Sequence, residues 1–88
     1  MKATIGRTVI VHGISSNGAT EQPAIITRVW APDRSTEDGP VGVNLTVFPD
    51  GGAPFQRGSV MLHHTEEQAR AACHGNAHAI AAYWPPRA

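Results

Sequence analysis

Five histidines, His12, His63, His64, His74 and His78, are the side chains of this 88-residue sequence best suited to chemistry. Imidazole binds zinc, copper and nickel, and it moves protons near neutral pH. A metal site needs three or four such groups converging on one point. His74 and His78 have the i, i+4 spacing of two ligands on a helix face, but Gly75 between them ends a helix rather than continuing one. His63 and His64 are adjacent, so in a strand they point to opposite sides. No HExxH pattern occurs. The expectation is surface or partly buried histidines, with no metal and no cofactor. His63 and His64 end an apolar segment, which makes them the candidates for a loss of stability in mild acid.

The nucleophiles fare no better. Ser15 and Ser16 lie in GISSNG, where Asn17 stands in place of the second glycine that a nucleophile elbow requires. Cys73 is next to His74, but adjacent side chains on a helix diverge. As the only cysteine it can form no intramolecular disulfide and complete no cysteine-based zinc site. Glu66–Glu67 and Glu37–Asp38 are neighbouring acids rather than carboxylates held across a cleft. Gly51–Gly52 belongs to a turn, not to a phosphate-binding loop. No catalytic residue is expected.

The aromatic side chains point toward binding instead. Trp30, Phe48, Phe55, Tyr83 and Trp84 are the five, and Trp30 and Phe48 fall on the faces opposite Val29 and Val47 in their segments. In a small domain one face is core, so large rings on the other face either mark a binding surface or cover the open end of the domain and pack under the helix. Seven basic and seven acidic residues cancel and are scattered. Nucleic acid is therefore disfavoured, because phosphate binding calls for a basic patch. Near-neutrality favours association with a protein or with a second copy. The apolar run Val9–Val11 is too short for a signal peptide or a membrane span.

These residues must be positioned by short elements. Segments 7–13, 23–31, 41–48, 58–63 and 78–84 read as strands. Val41–Phe48 shows the clearest alternation, with Val41, Val43, Leu45 and Val47 to one side. GISSNGATEQ and PDRSTEDGP read as loops, and PDGGAP reads as a hairpin turn. Thr65-Glu66-Glu67-Gln68 is a capping box opening a short helix over 66–74, with Gly75 as its stop. The expected core is Val9, Val11, Ile25, Val29, Val43, Leu45, Val47 and Val60. Five short strands and one helix predict a mainly β single domain, 1–88, folded as a small SH3-like barrel, with an OB-like barrel as the alternative. A sandwich needs about seven strands.

IGRTV, PAIITRVW, VNLTVFPDG, SVML and a closing YWPP occur in this order. The series resembles a family of small proteins of tailed bacteriophages and prophages, with a PAI-VW, VNL-VF-DG and W-P pattern. That resemblance implies a compact barrel of phage or prophage origin. The functional expectation is a non-enzymatic accessory module that binds a protein partner or itself as a homo-oligomer, through Trp30, Phe48, Phe55, Tyr83 and Trp84. The alternative is an anti-defence protein that sequesters a host factor or a small signalling ligand, and a metal-dependent enzyme ranks third. The expected setting is the cytoplasm of a bacterial host or a virion, with no membrane.

Overall fold

The computed structural model describes residues 2–30 and 40–86. The elements run β1 (Thr8–Ser16), β2 (Ala19–Val29), β3 (Val41–Val47), β4 (Phe55–His63), α1 (Glu66–Ala72) and β5 (Ala81–Tyr83). The five strands close into a barrel in chain order. β1 to β4 form an antiparallel meander. β5 then runs parallel to β4 and antiparallel to β1. Parallel neighbours need a crossover, and α1 supplies it. A meander closed in this way is the SH3-like arrangement expected from the sequence.

Alternation in β3 sets the core. Val41, Val43, Leu45 and Val47 are buried in one cluster with Val9, Val11, Ile26, Val60 and Leu62. β2 departs from the expected face. Ala24 and Ile26 point inward, while Ile25 is exposed and Val29 is only partly buried. Gln22, Ala24 and Ile26 alternate inward up to a bulge between Ile26 and Arg28, which skips one residue, so Ile25 and Val29 do not share a face as a plain period of two would require. Ile25 therefore belongs to the outer surface, and the expectation that it is core is corrected.

GISSNGATEQ is also corrected, from a loop to a hairpin. β1 extends to Ser16, β2 begins at Ala19, and Asn17–Gly18 alone makes the turn. Both turn residues have positive φ, 52° and 84°, the conformation of a two-residue type I′ turn that follows strand twist. The tip docks on the β3–β4 turn. Ser16 Oγ donates to the Asp50 carbonyl at 2.8 Å, and Asn17 Nδ2 donates to Asp50 Oδ2 at 3.2 Å. Beneath them the buried Gln22 donates to the Ile14 and Ala19 carbonyls and accepts from the Asp50 amide. All three bonds join backbone to one side chain, so PDGG serves the shape of the barrel.

The capping box forms with one change. Thr65 accepts from the Gln68 amide, and Gln68 Oε1 accepts from the His64 amide rather than from that of Thr65. Glu66 and Glu67 occupy the first helical turn, where the helix dipole favours negative charge. Ala69 and Cys73 pack on Tyr83, Ala81 and Ile10, so α1 covers the outside of the β5–β1 seam. β4 starts three residues earlier than expected, at Phe55, and β5 is trimmed to Ala81–Tyr83. The polar stretch 31–39, with Glu37 and Asp38, lies outside the described residues. Among the described residues no helix is long and apolar enough to cross a membrane.

Candidate functional site

Of the five aromatic candidates, three are exposed and two are not. Trp30, Phe48 and Phe55 keep roughly two-fifths of their surface in solvent, at 40%, 39% and 36%. Tyr83 is 2% exposed and Trp84 8%. Tyr83 lies beneath α1, and Trp84 joins the barrel core. Both leave the set of surface residues, because the helix and the barrel mouth already cover them.

The structure does not gather the other three into one patch. Trp30 sits at the start of β3, its amide bonded to the Gly42 carbonyl, whereas the Phe48 amide bonds to the Pro23 carbonyl at the far end. Six positions of extended chain separate the two contacts, about 20 Å. Phe55 is paired with Val47 and shares its side of the sheet, at a rim where β4 has no strand beyond it. β4 meets β5 only at Leu62 and His63.

Trp30 is the centre of the better-built surface. Arg28, two positions earlier, stacks its guanidinium 3.9 Å from the indole centroid, a cation–π contact. Trp30 Nε1 donates to Asn44 Oδ1 at 2.8 Å, which fixes the ring on the outer face of β3. Asn44 Oδ1 also accepts from the Ser59 amide at 2.9 Å. Ser59 is a non-glycine residue at φ 55°, held in this disfavoured conformation at a bulge opposite Asn44. Gly42 pairs with Met61, and a Cβ at Gly42 would touch both Trp30 and the Met61 sulfur. Trp30, just past the end of β2, Gly42 in β3 and Met61 in β4 thus form a continuous apolar strip, and Met61 is 45% exposed. Beside it lies an open groove of about 130 Å³ lined by Thr27, Asn44, Leu45, Gln56, Arg57 and Gly58. Sequence reasoning found Trp30 but missed Arg28, Asn44 and Met61. Alternation would have placed Arg28 beside Trp30 and Asn44 opposite Val43.

A second polar cluster sits on the other side of the barrel. Glu21 accepts from Thr20 Oγ1 at 2.6 Å, pairs with His12 Nδ1 at 2.7 Å and meets an Arg70 terminal nitrogen at 3.2 Å. The Tyr83 hydroxyl approaches the same carboxylate at 3.5 Å. Burial pushes the Glu21 carboxyl up, but the hydrogen bonds from Thr20 and His12 and the charges of His12 and Arg70 outweigh it and hold the group below its ordinary value. Burial, together with the nearby Glu21 and Glu66 charges, pushes the Tyr83 hydroxyl up to about 12. Arg70 also bonds Glu66 one helical turn back at 2.7 Å. One carboxylate shared by a hairpin, a helix and the closing strand works as a clamp.

The remaining histidines stay apart. His63 is partly buried at the end of β4, and burial lowers its pKa. His64, His74 and His78 are exposed. Among the described residues no group of three or more His, Cys, Asp or Glu side chains could hold a metal ion. Cys73 caps α1, and burial raises its thiol pKa away from the reactive thiolate. Ser15 and Ser16 are part of β1.

No family model, curated protein or solved structure matches this chain.

Proposed function

We propose that this barrel is a non-enzymatic binding module that docks onto a protein through the Trp30 surface. The observation that carries the reading is the Trp30–Gly42–Met61 strip, with the Arg28 stack and the Asn44 bond holding the indole in place. Exposed tryptophan and arginine dominate the energetics of protein interfaces, and a ring fixed before binding loses little entropy on docking. A surface tryptophan with no role would not need a hydrogen-bonded asparagine and a stacked guanidinium to orient it. The ordered sequence pattern of the strands supports a phage or prophage setting for such a module. Sequestration of a small signalling ligand is less well supported. The groove beside Trp30 has about 130 Å³, whereas drug-sized ligands occupy roughly 300–1,000 Å³.

Native mass spectrometry of the protein purified from its host tests the reading. The expected result is a complex of fixed stoichiometry, with a second protein or a second copy, that Trp30→Ala abolishes while the barrel stays folded. Loss of one central tryptophan costs about 2–4 kcal/mol of binding. A wild-type protein that is strictly monomeric at high micromolar concentration, with no Trp30-dependent partner, would overturn it.

A further inference from the structure

The groove beside Trp30 has a chemical character of its own, and it follows from the two bonds on Asn44. Trp30 Nε1 and the Ser59 backbone nitrogen are donors only, and both reach the same side-chain atom of Asn44. That atom must be the carbonyl oxygen, which settles the orientation of the amide. The Asn44 NH2 group is then left on the other side with both protons unused, for no acceptor reaches it among the described residues. Thr27, Gln56 and Arg57 line the same groove, and their side chains also have no hydrogen-bond or ion-pair partner among the described residues.

Charge follows the same division. Glu21 and Glu66 are engaged by Arg70, Asp50 by the hairpin tip, and Glu67 lies in the first turn of α1. Among the described residues no carboxylate pairs with Arg28 or Arg57. The strained Ser59 bulge and the Thr27 bulge lie at the groove, and paired bulges bend a sheet where a ligand approaches. Donors without acceptors, and cations without anions, describe a site for an oxyanion.

We infer that this groove seats a side-chain carboxylate from an acidic segment of a protein partner, with Asn44 and Arg57 donating to it and Trp30–Arg28 packing against the neighbouring residue. The inference rests on the binding-module reading above and names its partner class. Size and charge favour a carboxylate over nucleic acid. About 130 Å³ holds one carboxylate with its methylene groups but not a nucleotide. Two arginines also make a short track, whereas a strand of phosphates is followed by a longer basic groove.

The test is titration of the full chain with an oligo-glutamate peptide at low salt, followed by two-dimensional NMR of the Asn44 NH2 and Arg57 resonances. Oligo-glutamine and oligothymidine serve as the comparison ligands. Oligo-glutamate should move both resonances, with affinity falling as salt is added, and oligo-glutamine should not. Asn44→Asp is the decisive variant, since its Oδ1 still accepts from Trp30 and Ser59 while the NH2 becomes a second oxygen. It should keep the melting temperature and weaken peptide binding roughly 10- to 100-fold, the range for a lost hydrogen bond to a charged group. Arg57→Gln, at an exposed position, should weaken binding similarly and guards against misfolding of the first variant. Binding unaffected by either change, absent with oligo-glutamate, or tighter to oligothymidine overturns the inference. A Trp30-dependent partner with no affinity for oligo-glutamate would overturn it too, yet would leave the binding-module reading intact.

Discussion

Replacing Gly13 by alanine probes how the barrel is closed. Gly13 lies in the irregular stretch of β1 between His12 and Ser16, at φ 105°, where an L side chain is strained. Its would-be Cβ also falls 2.5 Å from the Ala79 carbonyl oxygen, 3.2 Å from Ile80 Cγ2 and 3.3 Å from Ile80 Cα. Two costs therefore add. The backbone conformation costs about 1–2 kcal/mol for a residue with a Cβ. Forcing a methyl group into a packed contact costs about 1–3 kcal/mol more, since the obstacle is backbone and cannot rotate away. The sum, roughly 2–5 kcal/mol, is a large part of the ~4–13 kcal/mol expected for a chain of this length. Gly18→Ala is the matched control: it too has positive φ, 84°, but nothing lies within 4 Å of its would-be Cβ. Urea unfolding followed by circular dichroism should show Gly18→Ala losing only the first cost and Gly13→Ala losing both. Hydrogen exchange should quicken at Ala81–Tyr83 in Gly13→Ala alone, because the displaced segment leads directly into β5. Equal destabilisation by the two variants would refute the claim that the Gly13–Ala79 approach holds the barrel shut.

Two further predictions concern titration. Tyr83 is the only tyrosine, so phenolate absorbance reports it alone. With its folded value raised to about 12, its contribution to stability is complete below the ordinary value near 10 and is lost as pH rises through the folded value. Phenolate should therefore appear together with loss of the β-sheet signal, and a tyrosine that ionises near pH 10 in a folded barrel would contradict the clamp beneath α1. For His63, burial lowers the folded pKa, so its neutral ring supports the fold above the ordinary value of about 6.5 and that support fades as pH falls through the folded value. His63→Gln should flatten the melting temperature between about pH 7 and 5, and an unchanged slope would assign the acid sensitivity elsewhere.

Much of the fold could be read from the chain. The β3 alternation, the Thr65 cap and the PDGG turn each state their structure within a few residues. What escaped depended on contacts that local patterns do not carry. A one-residue bulge after Ile26 broke the phase between Ile25 and Val29, so the two could not share the core face. Asn17–Gly18 is a strong hairpin signal, but the serines, glycines and alanine around it resemble loop composition, and only pairing distinguishes the two. Tyr83 could be read as exposed or as packed under the helix, because its strand has an outer face. α1 covers that face, and the residues that dock it, Ala69 and Cys73, are too small to announce a core. At the candidate site, Trp30 was visible as a displaced aromatic. Asn44 was not, because its role comes from the simultaneous bonds to Trp30, just past the end of β2, and to Ser59 on β4.

The three-residue β5 has a consequence for how the molecule is made. It pairs with β1 on one flank and with β4 on the other, so a single short segment removes both open edges of the meander. Tyr83 meets Ile10, its partner from about 70 positions earlier in the chain. At synthesis speeds of ~5–20 residues per second, β1 waits roughly 4–15 s for that partner. During this interval the four earlier strands can pair with one another but offer two bare edges, at which another nascent chain could add a strand. The brevity of β5 then becomes an asset, since so few residues must be ordered to seal the sheet once they emerge.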